Sequence, residues 1–184
     1  MLNSSTAGKW AAGLLCLILA IWWFWSYRIS DYHGDGHIRD SGVWTYPRYN
    51  VELGQIPLFE NGVHQFRLSG LPSEEMTLKL IVVGKTEKDT AELTGLNTNI
   101  EATLKDDQGR VACKAAGSPS ELHHNAWILT SSDDRAAFYN RRCVDVEVRR
   151  QRSYTLELTL THVDSSSPKA FLVPVISGGG IELP

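Results

Sequence analysis

Between Tyr154 and Thr161 the chain reads YTLELTLT, in which Tyr154, Leu156, Leu158 and Leu160 alternate with Thr155, Glu157, Thr159 and Thr161. Successive side chains of an extended strand point to opposite faces, whereas a helix repeats every 3.6 residues, so this order gathers its apolar groups on one side only as a strand. A strand of that kind must lay its apolar face against a second layer. The same period marks VHQFRL from Val63 and TLKLIVV from Thr77. It recurs less fully in VWTY from Val43, NIEATL from Asn99, RVACK from Arg110, AWILT from Ala126, CVDVEV from Cys143 and AFLVPVI from Ala170. Spacers such as LPSEE, KDDQG, SSDD and VDSSSP separate these runs, and no long helical period intervenes. About eight or nine short strands joined in this way describe an all-β, antiparallel sandwich.

Two residues refine that expectation. Gly109, after Asp107 and Gln108, can take a positive φ and so predicts a tight hairpin between the strands on either side. Pro174 has no N–H to give to a ladder, so the last strand is expected at a sheet edge or at a bulge.

The N-terminal end is of another kind. Trp10 to Tyr27 are 18 consecutive residues without a charge, which as a helix reach about 27 Å, the thickness of a hydrocarbon core. The run closes on Trp22, Trp23, Trp25 and Tyr27, whose amphipathic rings favour the membrane–water interface. It is followed by Arg28 rather than by small residues in a cleavage pattern, and Leu15 before Cys16 is bulkier than a lipidation site prefers. An uncleaved signal anchor over 10–27 is therefore expected, with the nine-residue tail 1–9 left in the cytoplasm. The rest would then lie on the periplasmic or extracytoplasmic side of the inner membrane.

After the anchor, residues 28–41 contain SDYHGDGHIRDSG, polar and glycine-bearing, and read as a spacer in front of a single domain, 42–184. His33 and His37 with Asp31, Asp35 and Asp40 are metal-compatible side chains, but a glycine-broken run does not preorganise ligands, so no metal site is read there. Nor is one read at His123 and His124, whose adjacent side chains diverge in an extended chain. No cofactor is expected. Cys113 and Cys143 are an even pair on the side assigned as oxidising, which predicts a disulfide. In CVDVEV, however, alternation places Cys143 with Asp145 and Glu147, opposite Val144, Val146 and Val148, so the bridge is expected outside the core or at a bulge.

From Gly42 onward 15 Lys and Arg face 18 Asp and Glu, a balance that disfavours nucleic acid as a partner. Arg141, Arg142, Arg149, Arg150 and Arg152 nevertheless place five guanidinium groups within twelve residues. Guanidinium pairs bidentately with carboxylate or phosphate, which makes this run the candidate surface for docking a protein partner. The patch needs the strand to end or twist near Val148, because alternation sends Arg149 and Arg150 to opposite faces. Neither G-x-S-x-G nor H-E-x-x-H occurs, and no catalytic residue is assigned. A binding module is the favoured reading. The alternatives are an envelope hydrolase working from its loops, and a carbohydrate or lipid-binding sandwich with Trp44, Tyr46 or Trp127 as stacking rings.

An apolar membrane-targeting segment, a strand-rich domain, the YTLELTLT strand and the terminal FLVPVISGGG together resemble small bacterial envelope proteins of unknown function. Some of these are encoded beside polymorphic toxins and are taken to be immunity proteins. The resemblance implies an immunity-type inhibitor or an accessory subunit of an envelope assembly, and carries over no functional residue.

Overall fold

The computed structural model describes residues 13–21, 32–40, 49–72, 75–85, 93, 96–119, 126–132, 135–143, 146–163 and 168–178. Among these, twelve strands follow one another: β1 (His37–Asp40), β2 (Tyr49–Glu52), β3 (Ile56–Pro57), β4 (Gly62–Ser69), β5 (Glu75–Val83), β6 (Asn99–Asp106), β7 (Val111–Gly117), β8 (Trp127–Ser132), β9 (Arg135–Asn140), β10 (Val146–Glu147), β11 (Ser153–Thr161) and β12 (Phe171–Gly178). All pairings are antiparallel.

They form two sheets, one in the order β4-β11-β6-β7 and one in the order β1-β2-β12-β5-β9-β8, with β3 beside β12 and β10 beside β5. Tyr154, Leu156, Leu158 and Leu160 of β11 are buried, as are Met76, Leu78, Leu80 and Val82 of β5, and they belong to one hydrophobic core. The alternation read from these two segments is the alternation of burial along the strands. The all-β, antiparallel, sandwich-like expectation therefore holds.

Several details differ from it. Pro174 does not lie on an edge strand, for β12 runs in the middle of its sheet. On one side Pro174 stands opposite Leu80 of β5. On the other, β3 and β2 occupy the two ends of β12 and leave a break at Leu53 to Gln55, so the missing N–H falls where no regular partner waits. The Pro174 carbonyl still accepts the Leu53 N–H at 2.9 Å. Of the CVDVEV segment, Val146–Glu147 is strand, whereas Cys143 and Val148 are not. Val144 and Asp145, like the VWTY segment at 43–46, lie outside the described residues.

The disulfide Cys113–Cys143 is present, with Cα atoms 5.5 Å apart. Its place is not outside the core: Cys143 is fully buried and Cys113 is 7% exposed. The chain is not extended at Cys143, because the Asn140 side-chain oxygen accepts the N–H groups of both Arg142 and Cys143, at 2.8 and 2.9 Å, and turns it inward. At Cys113 the register of β7 shifts against Leu104 and Lys105, a bulge that makes Ala112 the extra residue. The bridge thus joins the outermost strand of one sheet to the turn that lies against β5 of the other, where the Cys143 carbonyl accepts the Leu78 N–H.

The opposite seam is closed by residues read as a spacer. The N–H groups of His33 and Asp35 donate to the carbonyls of Ser69 and Arg67 in β4, both at 2.8 Å, and β1 then pairs with β2 of the other sheet. At Gly34 a Cβ would stand 2.5 Å from the Arg67 carbonyl oxygen, so only glycine lets this strap approach so closely. At Gly36, φ +84°, the chain swings from one sheet to the other. Tyr32 donates its hydroxyl to the Asp35 carbonyl at 2.7 Å. Burial and the Asp35 charge raise its phenol far above its ordinary range.

Of the predicted anchor, residues 13–21 are described and are helical. Leu14, Leu15, Leu17, Ile18, Leu19 and Ile21 are all more than half exposed. No helix among the described residues is long and apolar enough to cross a membrane. Trp22, Trp23, Trp25 and Tyr27, the predicted interface belt, lie outside them.

Candidate functional site

The β6–β7 hairpin is built around Asp106. Its backbone N–H donates to the Arg110 carbonyl and its carbonyl accepts the Gly109 N–H, both at 2.9 Å, while Gly109 takes the positive φ of +74° that its sequence position predicts. The side chain caps the same turn, Oδ1 accepting the N–H groups of Gln108 and Arg110 at 3.0 and 2.9 Å. Oδ2 is left to face the charged side chains. Arg110 reaches it through Nε at 2.9 Å and Nη2 at 2.8 Å, and Arg152 reaches it through Nη1 at 2.7 Å.

Asp106 is only 7% exposed in its side chain. Burial by itself would raise its carboxyl, but the side-chain and backbone hydrogen bonds of Arg110, the Gln108 N–H and the Arg110 charge outweigh this and hold it below the usual carboxylate value. The carboxylate therefore stays ionised and pins two guanidinium groups.

The far wall comes from the turn between β10 and β11. β10 ends at Glu147, Val148 is buried, and the Arg152 N–H closes a turn on the Arg149 carbonyl at 2.9 Å. That turn brings Arg149 and Arg152 to one place although alternation alone would not. The Arg149 N–H donates to the hydroxyl of buried Tyr154 at 2.8 Å. Nothing among the described residues accepts the hydroxyl proton of Tyr154 in turn. Arg149 Nε stands 3.7 Å from Glu147, both side chains being mostly exposed, which is a weak surface pair.

These groups line a pocket of about 280 Å³ made by Asp106, Arg110, Ala112, Glu147, Arg149, Arg152 and Tyr154. Three guanidinium groups face two carboxylates there. Asp106 is engaged by two of the arginines, so Arg149, exposed and only loosely paired, carries the available positive charge. A planar guanidinium beside a hydroxyl donor is a fitting receptor for a carboxylate or phosphate.

Of the five predicted docking arginines, the structure brings Arg149 and Arg152 together. Arg150 is half-buried in the same turn but does not line the pocket, and Arg141 and Arg142 are exposed in the turn after β9, also away from it. Arg152 is 27% exposed in its side chain and is a structural partner of Asp106 as much as a docking group. Sequence reading missed Arg110, Asp106 and Tyr154. The signal was present in DDQGR, where an acid and a base flank a predicted hairpin at i and i+4.

The other candidates fare differently. Trp127 is no stacking ring: it is 1% exposed and its Nε1 donates to the Ile100 carbonyl at 2.9 Å. Trp44, Tyr46, His123 and His124 lie outside the described residues. Asp35 of the metal-compatible run accepts the Arg67 N–H at 2.7 Å, and no cluster of three ligand side chains able to hold a metal occurs among the described residues.

Fold and site together define a two-sheet antiparallel β-domain with an arginine-lined surface pocket. No protein-family model matches the chain, and no curated protein is significantly similar to it.

Proposed function

We propose that this protein is a membrane-tethered binding module on the extracytoplasmic side of the inner membrane, and that its β-domain docks a carboxylate-bearing surface of a protein partner at the Arg149 pocket. The observation that carries the binding reading is that Asp106 engages Arg110 and Arg152 at once, leaving Arg149 as surplus charge beside the Tyr154 hydroxyl. The tether rests on the apolar helix at 13–21, whose large side chains stand exposed and need a covering that water does not supply. The Cys113–Cys143 bridge suits the oxidising compartment this topology implies. Such a module fits an immunity-type inhibitor or an accessory subunit, which hold a partner without transforming it.

Arg149 is the residue to test, because Arg152 also supports the fold. Capture from the protein's own cell envelope with the full chain and with its Arg149→Glu variant should lose one partner in the variant while thermal unfolding is unchanged. Association with that partner should slow on charge reversal and weaken with salt, since charges at an interface rim act mainly on the on-rate. The same proteins captured by both baits, with the same salt dependence, would sink the reading.

A further inference from the structure

Beside the seam where the strap crosses runs an edge of β4 that no strand among the described residues pairs. In β4 the direction of each peptide group is known from the strap: the carbonyls of Arg67 and Ser69 accept from Asp35 and His33, and the Arg67 N–H donates to Asp35 Oδ2. These odd-numbered residues therefore aim their N–H and C=O away from β11. The register of β4 on β11 is uninterrupted from Gly62 to Ser69, so the N–H and C=O groups of Gln65 and Val63 point the same way. They have no partner among the described residues. The strap serves this edge only as far as Asp35, because at Gly36 the chain leaves for β1 and the other sheet. Where it leaves, a cleft of about 450 Å³ opens, lined by Asp35, His37, Glu52, Leu53, Gln65 and Phe66 among others. Val63, further along the edge, is 61% exposed.

We propose that this edge receives an extended segment of a partner protein, added antiparallel to β4 from the point where the strap departs. The strap itself shows that the edge accepts an antiparallel main chain. Strand addition takes its affinity from main-chain hydrogen bonds and its selectivity from alternate side chains. Here the bonds go to Gln65 and Val63. An apolar side chain meets Leu53 and Phe66, and a basic one meets the carboxylates of Asp35 and Glu52; among the described residues the one ion-pair partner of Glu52 is the exposed Arg39 at 3.6 Å. The segment thus carries both apolar and basic side chains. This surface is separate from the arginine pocket and opposite to it in charge preference.

The test uses the full chain in mild detergent with an eight-residue peptide of alternating valine and lysine, and its valine–glutamate counterpart. The valine–lysine peptide should slow hydrogen exchange of the Val63 and Gln65 amides by on the order of tenfold or more, while amides inside the β11 ladders stay as protected as before. The Val63→Pro variant removes one outward N–H without touching the β11 ladder, and should abolish the protection of the Gln65 amide. Val63→Lys keeps the N–H but sets a like charge against the peptide, and should weaken binding even if the proline variant folds poorly. The proposal is overturned if the valine–lysine peptide leaves those two amides unslowed, if the valine–glutamate peptide protects them equally, or if both variants bind as the parent does.

Discussion

Arg152 Nη1 lies 2.7 Å from Asp106 Oδ2, a hydrogen bond between the residue just before β11 and the last residue of β6 that spans 46 positions of the chain. With Arg110 on the same oxygen, Asp106 is at once the cap of a hairpin and the post to which the arginine pocket is tied. Its carboxyl is held below the ordinary value in the folded protein. A depressed folded-state pKa adds stability above the unfolded value of about 3.9, and that contribution disappears as the pH falls through the folded one. Urea midpoints taken between about pH 5 and pH 2 should therefore fall less steeply for Asp106→Asn than for the parent. Parallel curves would show that the guanidinium pair adds no pH-linked stability.

The Cys113–Cys143 bridge closes a loop of 30 positions, and Ala112, next to Cys113, lines the pocket. In the chain-entropy account such a loop stabilises the fold by roughly 3–4 kcal/mol, or on the order of 10 °C in Tm for a domain of this size. Replacing both cysteines by alanine should produce a loss of that order in thermal scans. A loss below about 1 kcal/mol would mean that the unfolded chain is not constrained by the bridge.

Gly36 combines φ +84° with a position at which a Cβ would collide with the Glu52 carbonyl. Alanine there carries the left-handed penalty of about 1–2 kcal/mol in addition to the collision. Gly36→Ala should free the strap locally, so that the His33 and Asp35 amides exchange faster while the middle of β11 stays protected. Uniform loss of protection would instead make the strap part of the global folding unit.

On β11, Leu158 is fully buried between β4 and β6, whereas Thr159, the next residue, is half-buried on the other face. Leu158→Ala should cost about 2–5 kcal/mol in denaturant unfolding, and Thr159→Ala under about 1 kcal/mol. Equal costs would contradict the assignment of faces.

Ile18 stands near the middle of the uncharged run and is 52% exposed. If the run inserts into a bilayer, arginine at its centre raises the apparent insertion free energy by about 3 kcal/mol. Ile18→Arg should then shift the protein from the carbonate-resistant membrane fraction to the soluble one. Unchanged fractionation would remove the tether.

What the sequence determined by itself was the all-β class, the buried faces of β5 and β11 and the pairing of two cysteines. Alternation along β5 and β11 is local and sets a face wherever the strand ends up, and Cys113 and Cys143 are the two cysteines that follow the apolar N-terminal run. β9 escaped because Ala136, Ala137 and Phe138 are buried in succession, which erases the alternation that marks a strand. β1 escaped because HIRD has a single apolar residue, Ile38, and so shows no alternation, being held by its pairing with β2. The rest was decided by tertiary structure. Cys143 faces the core because Asn140 turns the chain, Pro174 sits in mid-sheet because two short strands divide its partner edge, and Arg149 joins Arg152 because a turn follows Val148. Arg110 entered the site through Asp106, whose other partner lies a whole strand pairing away. Contacts of that kind depend on which strands become neighbours, and the two-residue period carries the face of a strand but not its neighbour.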